Sequence, residues 1–169
     1  MATCPYSHEE AAMFDFIFWE VRDVMTAKPL TIGRDTTIGH AQGLFEKHQF
    51  NGLPVVDESG RLLGMVTKLD VLKAFVFKSQ SKVPDYETIM NHPVWEIMTR
   101  KPDTVEPVTP LTRALRLMIE TGHKAVPVVE GEMLAGIVAR EDVLRALHQA
   151  ARGLRPERPP EPLFGSNSG

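Results

Sequence analysis

The chain has 169 residues, 43% of them hydrophobic, and its 19 lysines and arginines stand against 22 aspartates and glutamates for a net charge of −3. That is enough apolar material to bury a core as one compact domain or as two small ones, and it excludes the global basic field that would collect nucleic acid or anionic lipid. Cys4 is the only cysteine, which excludes an intrachain disulfide framework and a multi-cysteine zinc site and makes a reducing compartment, the cytoplasm, the expected location.

The first predicted element is an N-terminal helix within residues 1–20. Ser7-His8-Glu9-Glu10 reads as a capping box, and Phe14, Ile17 and Phe18 supply an apolar stripe for packing on the rest of the chain or on a second subunit. Its most apolar stretch, Ala11 to Trp19, is interrupted by Asp15, lacks a basic start and is too short to span a bilayer, so neither export nor insertion is expected.

From residue 21 the chain repeats itself. Val21-Arg22-Asp23-Val24-Met25-Thr26-Ala27-Lys28-Pro29-Leu30-Thr31-Ile32 lies over Val94-Trp95-Glu96-Ile97-Met98-Thr99-Arg100-Lys101-Pro102-Asp103-Thr104-Val105. The match continues with Thr36-Thr37-Ile38 over Thr109-Pro110-Leu111, Leu53-Pro54-Val55-Val56 over Val126-Pro127-Val128-Val129, and Gly64-Met65-Val66 over Gly136-Ile137-Val138. Each copy, 21–78 and 94–150, resolves in the same way. A short strand follows the Met-Thr opening, then a helix with apolar residues at helical spacing: Ile38, Ala41, Leu44 and Phe45, or Leu111, Ala114, Leu117 and Met118. Thr109 with Pro110 reads as a hydroxyl N-cap and a proline at the first helical position. Two apolar strands then form a hairpin, reversing at Asp57-Glu58-Ser59-Gly60 or Glu130-Gly131-Glu132. A closing helix ends near Phe77 or Gln149. Residues 79–93 read as a linker with one helical turn at Tyr86 to Asn91, and the Pro/Gly-rich 151–169 as a flexible tail with little to bury. The predicted fold class is α+β (α/β-like): two tandem βαββα repeats, too small to hide their sheets alone, packed sheet to sheet with pseudo-two-fold symmetry.

The doubled Met-Thr-x-x-Pro, the doubled Pro-Val-Val and Gly64-Met65-Val66-Thr67-Lys68-Leu69-Asp70 resemble the CBS domain family, named after cystathionine β-synthase, over about residues 17 to 150. The resemblance implies a regulatory sensor whose paired copies bind AMP, ADP, ATP or S-adenosylmethionine in clefts between them. It also implies a homodimer and allows Mg2+ carried in with a nucleotide. Thr67 stands where a strand ends and a helix begins, a place that favours anions, and Asp70 is able to accept hydrogen bonds from a ribose diol. The plainer interpretation is a capping box. The second copy has Ala139 in place of Thr67, followed by Arg140, Glu141 and Asp142; its carboxylate remains without the hydroxyl, and Arg140 or Lys124 is the candidate phosphate group. The resemblance completes the Asp70 cleft with Thr109, His123, Lys124 and Ala125, and the Asp142 cleft with Thr36, Phe50, Asn51 and Gly52. Trp19 and Trp95 read as core or interface rather than adenine platforms.

The six histidines form no His-x-x-x-His pair, and no phosphate loop, dinucleotide fingerprint or nucleophile elbow is present. The expectation is a free-standing module with no obligatory cofactor, no catalytic residues, and no nucleic-acid or membrane partner, signalling to a separate protein. The alternative from another class is a structural interaction dimer whose ligand sites have decayed, with Ala139 as its sign. An enzyme is disfavoured by the lack of a nucleophile-base pair.

Overall fold

The computed structural model describes residues 16–76 and 85–156. Cys4, the Ser7 capping box, Phe14, Phe77, residues 79–84 of the linker and the tail from 157 onward lie outside the described residues.

Each Met-Thr opening begins with a 3-10 turn, Val21–Asp23 or Val94–Glu96, whose first valine is fully buried. A two-residue strand follows: β1 (Thr26–Ala27) in the first copy and β5 (Thr99–Arg100) in the second. The rest of the first copy is β2 (Ile32–Gly33), α1 (Ile38–His48), the hairpin β3 (Gly52–Val56) and β4 (Leu62–Thr67), and α2 (Lys68–Ala74). The linker holds α3 (Tyr86–Asn91), as expected, with Asp85 capping it by accepting the Thr88 N–H at 2.7 Å. The second copy continues with α4 (Leu111–Thr121), β6 (Ala125–Glu130), β7 (Met133–Ala139) and α5 (Arg140–Ala151). Where the first copy has β2, the second has only an isolated parallel bridge, Val105 to Val128.

The strands make two sheets, β1-β7-β6 and β2-β3-β4-β5. Each opening strand joins the hairpin of the other copy: Thr26 and Ala27 lie opposite Ile137 and Gly136, and Thr99 and Arg100 opposite Met65 and Gly64. Glycine is required where they meet. A Cβ on Gly64 would stand 2.7 Å from the Thr99 carbonyl oxygen and 2.8 Å from Met98 Sδ; one on Gly136 would stand 2.8 Å from the Thr26 oxygen and 2.9 Å from Met25 Sδ. The doubled Met-Thr and doubled Gly are therefore two sides of one contact.

The compact units consequently do not follow the repeat order. One holds 16–29, 104–131 and 135–156; the other holds 30–76, 85–103 and 132–134. The core of the first gathers Phe16, Trp19, Val21 and Val24 with Leu111, Ala114 and Met118 of α4, Val126, Val128 and Val138 of the sheet, and Val143 of α5. The second unit buries Ile38, Ala41 and Phe45 of α1 with Leu53, Val55 and Val66 of its sheet, Val71 of α2 and Ile89 of α3. Both helical spacings read from the sequence are thus realised, with Leu44 and Leu117 at the margins.

Two expectations need correction. Helix α4 starts one residue later than the Thr109-Pro110 pairing suggests: Pro110 is the N-cap, with extended ψ of 135°, and provides no side-chain cap. An isolated bridge to Glu20 and the Leu111 N–H donated to the Trp19 oxygen at 2.8 Å hold it there, while the Thr109 hydroxyl accepts from Glu106 N–H at 3.0 Å. In the first copy, Thr37 caps α1. Ahead of the first repeat, Ile17 and Phe18 are exposed, and Phe16 and Trp19 are the residues that pack. Among the described residues there, Phe16 is helical and a turn follows at Ile17 and Phe18, so the helix does not extend through Phe18.

Candidate functional site

The strand-to-helix turn of the first copy is closed by reciprocal bonds. Thr67 N–H donates to Asp70 Oδ2 at 2.9 Å, the Thr67 hydroxyl donates to the same oxygen at 2.7 Å, and Asp70 N–H returns to Thr67 Oγ1 at 3.3 Å. This is a full capping box. Asp70 is only 4% exposed, and its second oxygen, Oδ1, faces Lys73 Nζ at 3.5 Å. Asn51 and Gly52 lie beside this turn, because Gly52 at the start of β3 stands opposite Thr67 at the end of β4. A Cβ on Gly52 would meet Met65 Cε at 2.8 Å, so the end of that side chain fills the space beside the strand here.

The equivalent turn in the second copy keeps half of the box. Ala139 N–H donates to Asp142 Oδ2 at 2.8 Å, and no hydroxyl is available to cap α5. The other carboxylate oxygen is taken by the Arg145 guanidinium. Burial raises the Asp142 pKa above its ordinary value; the Ala139 N–H and Arg145 oppose that shift, and Glu141 adds to it.

Arg140, read from the sequence as a candidate phosphate group, is engaged with backbone. Its Nε donates to the His123 oxygen at 2.8 Å and its terminal nitrogen to the Gly122 oxygen at 2.5 Å, while its own N–H donates to the Lys124 oxygen at 3.0 Å. Arg140 thereby satisfies carbonyls left over at the C-terminus of α4. His123, Lys124 and Ala125 are held next to Arg140 and the Asp142 turn, with the Lys124 side chain exposed. Within each unit the residues preceding Pro-Val-Val thus neighbour the turn of their own copy; their assignment to the other copy's ligand comes from the family resemblance. Thr36 stands in the loop between β2 and α1, its oxygen accepting Val94 N–H at 2.8 Å, and Thr109 stands just before α4. Lys73 and Arg145, each one turn after its aspartate, were not singled out in the sequence, although the i,i+3 spacing signals them.

A sequence profile of the CBS domain matches residues 21–76 and 94–149. The chain belongs to the CBS domain family. It is similar to an uncharacterized protein of Methanocaldococcus jannaschii, MJ1404, with 35% identity over 79% of this chain, and spans about a third (33%) of that relative. Enzymes that carry CBS domains match too: the chain is 35% identical, over 78% of its length, to 24% of an inosine-5'-monophosphate dehydrogenase from the same organism. Among solved structures, CBSX2 in complex with AMP superimposes with a TM-score of 0.67 at 30% identity, covering 78% of this chain and 97% of that one. The CBS domain pair of MJ0100, in complex with 5'-methylthioadenosine and S-adenosyl-L-methionine, gives 0.65 at 30% identity with the same coverage. Two CBS domain copies in a mixed α+β fold are therefore shown twice over, by the profile and by the solved pairs. Among the described residues, no helix is long and apolar enough to cross a membrane.

Proposed function

We propose that the chain is a regulatory CBS pair that binds an adenosine-containing ligand, AMP, ADP, ATP or S-adenosylmethionine, and signals to a separate partner protein. Support comes from the AMP and S-adenosylmethionine complexes of similar CBS pairs. The observation that carries the reading in this molecule is the half-committed carboxylate of Asp70. Oδ2 is consumed in holding Thr67, while Oδ1 has, among the described residues, only Lys73 at the limit of hydrogen-bond distance and retains the lone pairs that a ribose hydroxyl needs. Asp142 has both oxygens engaged, Oδ1 by Arg145, so the Asp70 turn is the stronger site. Thr109, His123, Lys124 and Ala125 complete its cleft on the family resemblance, and Thr36, Asn51, Gly52 and Arg140 that of Asp142. Mg2+ enters only with a nucleotide's phosphates.

The chain acts as a homodimer in this proposal and carries no catalytic step of its own. Leu69, Leu72 and Val76 follow one another at helical spacing along α2 and beyond, and all are well exposed. In the other unit, α4 and α5 border a groove of about 320 Å³ lined by Leu115, Met118, Ile119, Val143, Leu144 and Leu147. Apolar surface of this kind is the sort a second copy covers. A ligand that binds two arrangements of the copies unequally shifts their populations, and the partner senses the shift.

Calorimetric titration with each of the four ligands, with and without Mg2+, tests the ligand; sedimentation velocity tests the dimer. Saturable binding of one ligand by a dimeric species is expected. No heat and no thermal stabilisation from any of the four would favour the structural interaction dimer with decayed sites, and a monomer at all working concentrations would remove the dimer.

A further inference from the structure

Arg34, Trp95 and Arg100 gather at the end of the four-stranded sheet opposite Thr67. Gly33 pairs with Val56, the last residue of β3, whereas Thr67 pairs with Gly52, its first; a five-residue strand separates its ends by about 13 Å. The backbone fixes the cluster, since Trp95 N–H donates to the Arg34 oxygen at 3.2 Å and Arg100 lies opposite Gly64 in the sheet. The guanidinium carbons of Arg34 and Arg100 stand 5.8 and 5.4 Å from the centroid of the half-buried Trp95 ring, both within cation–π range.

Two cations on one ring repel each other, and among the described residues Asp35 is the one carboxylate at ion-pair distance from either. Arg34 has Asp35 at 3.7 Å, but that carboxylate side chain is 82% exposed. Among the described residues no carboxylate stands within ion-pair distance of Arg100, and the exposed Lys101 adds a third positive charge beside it. Glu96, the acidic neighbour of Trp95, is paired with His92 at 2.7 Å. The cation–π contact with the indole restrains both guanidiniums, so part of the ordering cost of gripping an anion is already met. A ligand with charges on adjacent groups relieves the repulsion and offers each guanidinium a bidentate partner. A single carboxylate serves only one of them.

We propose that Arg34 and Arg100, held on Trp95, form a binding site for a di- or polyphosphate group, separate from the Asp70 turn. The site does not depend on whether that turn binds adenosine. The test is titration of the full chain with inorganic pyrophosphate at fixed ionic strength, followed by calorimetry and by tryptophan emission, which Trp95 reports from within the site. Saturable binding is expected, weakened about tenfold or more in R34A and in R100A, falling with added salt and unchanged in D70N. Thermal unfolding of each variant, matching the parent because both arginines are exposed, shows that the fold is kept. No saturable change up to about 10 mM pyrophosphate, or the same binding curve in an R34A/R100A double variant, would overturn the proposal, whatever the Asp70 turn does with adenosine ligands.

Discussion

The turns that lead from β4 into α2 and from β7 into α5 are the same turn built with different completeness. Both aspartates are nearly buried, 4% and 7% exposed, and both accept the N–H three residues back, at 2.9 and 2.8 Å. The first adds a threonine hydroxyl that donates to Asp70 and accepts from its N–H, leaving one carboxylate oxygen nearly uncommitted. The second replaces the hydroxyl with a methyl group and spends the other oxygen on Arg145. Two side-chain differences, Thr67 against Ala139 and Lys73 against Arg145, therefore separate a turn with acceptor capacity to spare from a turn satisfied by its own helix.

Substitutions break this comparison in a graded way. Asp70→Ala has the largest expected effect, a loss of about 2 kcal/mol, because it strands the Thr67 N–H and removes half of the box. Asp142→Ala removes a charge that burial already penalises, and about 1 kcal/mol is expected. Equal losses in urea unfolding would mean that the hydroxyl adds nothing. Next comes Thr67→Ala, which gives the first turn the uncapped start of the second at a cost of about 1 kcal/mol. Ala139→Thr is the reverse change and should raise stability by about 0.5 kcal/mol or more, with the new hydroxyl capping α5; a loss instead would show that the second turn has no room for it.

The smallest effect concerns pH. A raised pKa means that folded Asp142 holds its proton more tightly than the unfolded chain does, so its favourable contribution is present at acid pH. That contribution is lost as pH rises from the ordinary value of 3.8 through the folded value. Asp142→Asn removes this dependence. The parent should lose stability relative to the variant as pH rises above the ordinary value of 3.8, and a difference that stays flat would deny that burial dominates.

Much of the fold was legible because two copies check each other. The apolar phases of α1 and α4, the left-handed glycines Gly60 and Gly131 in the hairpin reversals, and the capping pattern of Thr67 and Asp70 all depend on a few adjacent residues. The opening strands were not legible as strands. Two residues carry no periodicity, and their partner glycines lie in the other copy, so Met25 with Gly136 and Met98 with Gly64 become intelligible only in three dimensions. Trp19 could be assigned to the core, but its backbone hold on Leu111, which shifts the start of α4, has no sequence signal. Arg140 reads as a phosphate ligand by charge alone; its engagement with two carbonyls across the hairpin depends on where the Gly122 C-cap ends α4.

The most direct measurement is calorimetric titration of AMP and of S-adenosylmethionine into the parent, Asp70→Asn and Asp142→Asn. Asparagine keeps one oxygen for the capping N–H in either turn, so the fold is preserved while the carboxylate is removed. The account expects saturable binding of at least one ligand by the parent, its loss in Asp70→Asn and its retention in Asp142→Asn. Binding that survives in Asp70→Asn, or that disappears only in Asp142→Asn, would contradict it.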